Sequence, residues 1–315
     1  MTLSPYSYDH LTNLFIRWAT DQPDIRAAIV LGSRARTDRP ADQWSDLDLI
    51  VVAEDPQRYL SDAEWVKNMG NPWITFLENT ASGGFMERRV FYEGGLDVDF
   101  ALLPAQLFRQ MRTLLQVRKR FPFLIRLLPA RFRRNFDQRT LEFSDVVRRG
   151  VRVILDKEGL TSELTQIAAG TPKPHPPPQD EFLNVVNDFW YHAMWIAKKV
   201  QRGELWTAKS CLDGHMKWRL LRVIEWHTHS LHGWDYDTWH DGRFLDQWAD
   251  PRVIAGLRPA FSHYDAEDVW RALPAMMDLF RWVAEETAER LGYPYPKEGE
   301  ERVRAWLRDS LAVNR

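Results

Sequence analysis

One stretch divides this chain into two patterns that belong to different kinds of structure. GTPKPHPPPQDEF, Gly170 to Phe182, is a proline run. Consecutive prolines fix φ, remove N–H donors and favour an extended connection, so neither a helix nor a central strand can pass through it. The chain is therefore expected to form two domains, residues 1–170 and 171–315, and its 315 residues give each enough material for a core.

Before the prolines the apolar pattern is mixed. Tyr8 to Ala19 fits a helix, while Ile25 to Leu31 and Asp48 to Val52 read as buried strands. Pro72 to Glu78, Arg89 to Gly95 and Leu96 to Leu103 give three further strand candidates, and Gly150 to Gly159 reads as a last strand ending in a turn. After the prolines the period becomes 3.6. Phe182, Val185, Val186, Phe189, Trp190, Ala193 and Ile196 make one apolar stripe, and Val269 to Leu291 makes a long helix stopped by Gly292 and Pro294. Pro274 is expected to kink that helix or to mark its first turn. Strands with intervening helices indicate an α/β or α+β first domain, and the second domain reads as a helical bundle.

The bulk numbers exclude several roles. A formal net charge of −2 provides no general electrostatic footprint for nucleic acid. The Arg-rich stretch from Arg109 to Arg134 reads as amphipathic helices with a solvated basic face. The single cysteine, Cys211, allows no internal disulfide and no Cys cluster for zinc, which suits a reducing cytoplasm. No apolar run approaches the roughly 20 residues needed to cross a bilayer, and the N-terminus lacks a basic and apolar leader. A cytoplasmic protein with no membrane partner is the expectation. His227, His229 and His232 read as a solvated or core-edge cluster, since no acidic or Cys ligand pattern accompanies them.

Chemistry enters at GSRARTDRPADQWSDLDLIVV, Gly32 to Val52. Strand side chains alternate, so Asp46 and Asp48 share one face at the mouth of an apolar strand. Carboxylates this close repel unless a cation lies between them, and Mg²⁺ favours one or two carboxylates plus substrate phosphate oxygens. A third carboxylate on a neighbouring strand would complete a cradle for two ions roughly 3.5–4 Å apart. LDVDFALL offers Asp97 and Asp99 on one face, and either serves by spacing alone. Upstream, Gly32-Ser33 follows an apolar strand directly. Glycine permits close backbone approach, turn N–H groups cradle phosphate, and Ser33, Arg34 and Arg36 add a hydroxyl and positive charge. Strand, Gly-Ser, helix, loop and Asp-x-Asp entering a strand is a nucleotidyltransferase arrangement. The turn holds a triphosphate, and the carboxylates hold the ions that neutralise its developing charge.

At these residues the chain resembles the aminoglycoside 6-adenylyltransferases, the streptomycin-adenylylating enzymes, over nearly its whole length. GSRA with SDLDLIVV matches the family's nucleotidyltransferase motif. LDVDFALLP resembles its next acidic strand, which selects Asp99 over Asp97. VILDKEG, VNDFWYHAMWIAKKVQRGEL, LLRVIEW and RLGYPYP extend the likeness in order. The resemblance implies an α+β protein: an N-terminal mixed sheet with flanking helices, a C-terminal helical bundle, and the drug in the cleft between them. It implies ATP as co-substrate, Mg²⁺ (two ions) on Asp46, Asp48 and Asp99, and attack of a streptidine hydroxyl on the α-phosphate with loss of pyrophosphate. Asp188, in NDFW, matches an acidic position and is expected to accept the hydroxyl proton; Asp180 and Glu181 are competitors nearer the linker. Lys217 and Arg243 match basic positions and are expected, with Gly32, Ser33 and Arg34, to bind the triphosphate. Trp190 and Tyr191 flank the acid, with Trp190 more suited to the core by its spacing.

The segment Thr37 to Ser45 departs from the family pattern as a polar insert expected to be free to move. Streptomycin is cationic, so its pocket should be acidic and aromatic. Other readings are transfer of AMP to a different metabolite or to a protein, or a non-catalytic, antitoxin-like module that kept the fold. All three carboxylates are present, which favours chemistry. The choice between monomer and homodimer stays open.

Overall fold

The computed structural model describes residues 6–36, 39–80, 84–121, 150–162 and 175–312. Half of the expected basic stretch, from residue 122 on, and the first part of the proline run lie outside these residues. The chain divides into two compact units, residues 1–172 and 173–315.

The first unit is built on a six-stranded sheet in the order β3-β4-β5-β2-β1-β6. The strands are β1 (Ile25–Val30), β2 (Leu47–Ala53), β3 (Pro72–Asn79), β4 (Met86–Tyr92), β5 (Leu96–Pro104) and β6 (Arg152–Asp156). The sheet is mixed. β2 and β5 run parallel, while β1 is antiparallel to β2 and β6, and β4 is antiparallel to β3 and β5. Each expected strand is present within a few residues of its expected bounds, because alternating or continuously apolar runs leave the backbone few other ways to bury them.

Alternation sorts the central strands onto two cores. Leu47, Leu49, Val51, Val98, Phe100 and Leu102 pack with Leu11 and Phe15 of α1 (Tyr8–Asp21) on one face. Ile50, Val52 and Leu103 pack with Ile29 and with Phe108 of α3 (Ala105–Arg120) on the other. A short helix, α2 (Pro56–Ser61), follows β2. Asp48 and Asp99 lie on the same face as Ile50 and Leu103 by this alternation, so they stand beside an apolar core rather than in open solvent.

The second unit is helical throughout its described elements: α4 (Gln179–Gln201), α5 (Leu205–Ser210), α6 (Met216–His232), α7 (Leu245–Trp248), α8 (Pro251–Ala260), α9 (Ala266–Leu291) and α10 (Lys297–Ala312). The stripe from Phe182 to Ile196 is buried as expected, and the Phe189 and Phe280 rings stack 3.5 Å apart across α4 and α9. Trp190 is core, donating its indole N–H to the Tyr295 hydroxyl at 3.1 Å, whereas Tyr191 is exposed. Pro274 neither opens α9 nor ends it. The helix begins at Ala266, capped by the Asp265 carboxylate on the Asp268 N–H, and Gly292 closes it at φ +69°. The cap and the buried stripe outweigh the one backbone bond that proline removes. A π-helical turn, Cys211–His215, joins α5 to α6 as one continuous rod. No helix among the described residues is long and apolar enough to cross a membrane.

Candidate active site

The parallel pairing of β2 with β5 sets Asp48 directly opposite Asp99. Asp46 precedes β2 by one residue. A carboxylate oxygen from each of the three lies within 4.8 Å of the others. Asp97 is not in that group. It faces the Phe91 position of β4, and its N–H donates to the Tyr8 hydroxyl at 3.1 Å. Its carboxyl is pushed upward by burial and by the negative charge of Asp99.

The turn after β1 closes over this cluster. Gly32 has φ +64°, in the left-handed region, and a Cβ there would run into Oδ2 of Asp48. Only glycine fits without moving the carboxylate, which gives the Gly-Ser pair a steric reason. The Leu31 N–H donates to the Asp48 carbonyl at 2.9 Å, tying turn to strand. Ser33 Oγ is buried without a hydrogen-bond partner among the described residues. A buried hydroxyl in that state costs free energy and is ready for an acceptor such as a phosphate oxygen.

Arg34, expected to meet phosphate, is held by the loop that follows it. Its Nε donates to the Asp46 carbonyl at 2.9 Å, and its Nη2 donates to the carbonyls of Ser45 at 2.6 Å and Asp42 at 3.3 Å. Its guanidinium stacks 3.4 Å above the Tyr8 ring. The insert expected to be free is thus tied down over its described part, 39–45, and Asp42 folds it further by accepting from Trp44 N–H and the Ser45 hydroxyl. Arg34 positions the backbone that carries Asp46.

Two neighbours on β4 were not legible from the sequence. Arg89 stands opposite Asp99 and forks onto it, Nε to Oδ1 at 2.8 Å and Nη2 to Oδ2 at 2.5 Å. Glu87, one pleat away, has its carboxyl pushed up to about 7 by burial and then by the charge of Asp99. Asp46, Asp48 and Asp99 thus bring three carboxylates to one point. Hard, oxygen-seeking divalent cations fit such a set, and Asp46, Asp48 and Asp99 would hold them.

The family model for streptomycin adenylyltransferase matches residues 6–310. The chain belongs to that family. Its members are nucleotidyltransferase enzymes, and the curated relatives run the same length. A Bacillus subtilis (strain 168) aminoglycoside 6-adenylyltransferase is 22% identical over 92% of this chain and 93% of its own. A Campylobacter jejuni protein of the same name is 22% identical over 90% of this chain and 89% of its own. The crystal structure of an aminoglycoside 6-adenyltransferase from Bacillus subtilis covers 98% of this chain and 99% of its own at 17% identity, with a TM-score of 0.44, too low for comparing detail.

The remaining expected site residues of the family reading lie in the second unit. Asp188, on α4, is surrounded by donors. Nδ1 of His192 is 2.6 Å from its Oδ1, Nε2 of His215 lies 3.1 and 3.2 Å from its two oxygens, and Arg219 Nε donates to Oδ2. Burial pushes its carboxyl up, but the hydrogen bonds and charges of His215 and Arg219 outweigh burial and hold it below the usual range. That direction is opposite to the one a proton acceptor working near neutrality needs. His192 sits one helical turn from Asp188, a spacing visible in the sequence, yet His215 is brought to it only by the π-turn. Lys217 is largely buried, with its ammonium on Asp213 Oδ1 at 3.1 Å and on the Ala260 carbonyl at 2.8 Å, and burial lowers its titration. Arg243 is exposed, in a corner where Trp239, Asp241 and Phe244 all take positive φ. Asp180 and Glu181 occupy the first turn of α4, where they favour the helix N-terminus. His227, His229 and His232 do not converge. His227 is buried 3.2 Å from Glu286, and the His232 ring stacks on Tyr236.

Proposed function

We propose that this chain transfers AMP from ATP to a hydroxyl of an aminoglycoside, the 6-hydroxyl of streptomycin, releasing pyrophosphate and inactivating the drug. The observation that carries the reading is the convergence of Asp46, Asp48 and Asp99 beneath the Gly32-Ser33 turn. Full-length similarity to proteins named aminoglycoside 6-adenylyltransferase supports the acceptor class.

The chain's own groups divide the work. Gly32 and Ser33 receive phosphate oxygens, the hydroxyl of Ser33 supplying a donor that has no partner among the described residues. Arg34 holds the Asp46 backbone in place. Arg89 restrains Asp99 in one orientation. The three aspartates hold Mg²⁺, which when bound neutralises charge on the phosphates. The acceptor oxygen forms a bond to the α-phosphorus as the bond to the β-phosphate oxygen breaks, and the hydroxyl proton leaves to a base. Asp188 is carried forward as that base on the strength of the resemblance alone.

The test is pyrophosphate release from ATP and Mg²⁺ with a panel of aminoglycosides. Release with streptomycin that disappears in Asp46→Asn is expected. ATP binding without release for any drug in the panel would overturn the reading.

A further inference from the structure

Asp188 and His192 lie one turn apart on α4, and the π-turn Cys211–His215 delivers a second imidazole to the same point. The two imidazole rings are 4.1 Å apart at a tilt of 45°. One ligand atom from each of Asp188, His192 and His215 lies within 4.8 Å of the others. π-turns are rare and recur at functional sites. Without this one, His215 would be turned away from α4, since each extra residue rotates a helix by about 100°.

We propose that Asp188, His192 and His215 form a binding site for Zn²⁺ or a similar late first-row divalent cation. The donor set is two imidazole nitrogens and one carboxylate oxygen, the three-ligand pattern of open zinc sites, with water in the fourth position. Tetrahedral zinc with bonds of about 2.0–2.1 Å needs donors roughly 3.3 Å apart. The carboxylate-to-imidazole separations of 2.6 to 3.2 Å need a small outward movement to reach that spacing, and Nδ1 of His192, 2.9 Å from the Asp188 carbonyl, would give up that contact to become a ligand. Arg219 occupies Oδ2 and leaves Oδ1 to an ion, the outer bond that orients a ligating carboxylate. His215 keeps about a third of its side-chain surface exposed, giving entry and room for the water. This set is chemically unlike the all-oxygen set of Asp46, Asp48 and Asp99, so the two sites select different ions. The inference rests on donor geometry within one unit and meets the proposed transfer reaction only at Asp188. A bound ion would take Asp188 out of the role of base.

The test uses the full chain in excess Mg²⁺, titrated with Co²⁺ as a coloured probe. One equivalent should bind with the visible spectrum of four-coordinate cobalt and be displaced by Zn²⁺. His192→Ala and His215→Ala should each weaken binding by at least about 100-fold, whereas Asp48→Asn should not change it. Circular dichroism of the metal-free variants checks that α4 and α6 remain folded. Should either variant fail to fold, imidazole NMR of the unaltered chain decides: Zn²⁺ should shift two of its nine histidines. Absence of stoichiometric binding, binding that survives in the His192→Ala/His215→Ala double variant, or shifts at other histidines would overturn the assignment.

Discussion

The molecule carries two carboxylate-centred clusters with opposite charge logic. In the first unit three aspartates converge, and Arg89 forks onto one of them, Asp99. In the second unit one aspartate is answered by Arg219 and two imidazoles. The first gathers like charges, a set that divalent cations would favour; the second places its carboxylate among protein donors. A gathering of like charges suits a ligand, while a carboxylate among donors also serves the fold. Replacing a carboxylate should therefore weigh mainly on turnover in the first place and on stability in the second.

The largest expected effect is on turnover. Asp48→Asn removes a carboxylate facing Asp99 and should lower the rate of transfer by at least about 100-fold, the scale of losing one electrostatic partner of a transition state. A rate within about tenfold of the parent would show that this carboxylate is dispensable to the transfer.

Gly32→Ala comes next. Left-handed φ costs a non-glycine residue about 1–2 kcal/mol, and the new Cβ must displace the Asp48 carboxylate. A total loss of about 2–3 kcal/mol is expected in a denaturant titration. Shortening the obstructing side chain, Gly32→Ala with Asp48→Ala, should be less destabilising than the two changes added separately. Strict additivity would mean that the carboxylate does not meet the turn.

Asp188→Asn should cost about 1–2 kcal/mol, since Arg219 and the imidazoles lose their anion at a partly exposed site. It also separates two roles. A proton acceptor loses turnover while nucleotide affinity survives; a purely structural anion loses stability while the turnover of the folded fraction survives. Comparing kcat with the melting temperature distinguishes them.

These clusters were unequally legible in the sequence. Asp46, Asp48 and Gly32-Ser33 announce themselves because the period of a strand is two and their spacing is local. The choice of Asp99 over Asp97 came from resemblance, and its physical basis is the β2–β5 register, which no local pattern encodes. Arg89 and Glu87 were missed for the same reason: they matter through β4 pairing with β5. A cation beside Gly-Ser suggests a phosphate contact for Arg34, and its hold on three carbonyls of the following loop has no local pattern to announce it. In the helical unit the stripe through Phe189 and Trp190 was plain, and His192 was visible at i+4 from Asp188. His215 was not, because helix phase is lost across a π-turn.

The smallest effect is a difference in the direction of pH dependence. The Asp188 carboxyl is lowered from 3.8 on folding, so its stabilisation is present above that value and is lost as pH falls through the folded value. The Glu87 carboxyl is raised from 4.5 to about 7, so its contribution is full below 4.5 and is lost as pH rises through about 7. Glu87→Gln cannot ionise and should escape that loss. Without divalent ions, the variant should gain about 1 kcal/mol on the parent chain between pH 5 and pH 8, the full shift being discounted for the nearby Arg89 and partial exposure. Asp188→Asn should instead track the parent over that interval and differ in slope only in acid. Parallel profiles for Glu87→Gln and the parent from pH 5 to pH 8 would show that neither burial nor the charge of Asp99 raises the Glu87 carboxyl, and that Glu87 lies outside the influence of the first cluster.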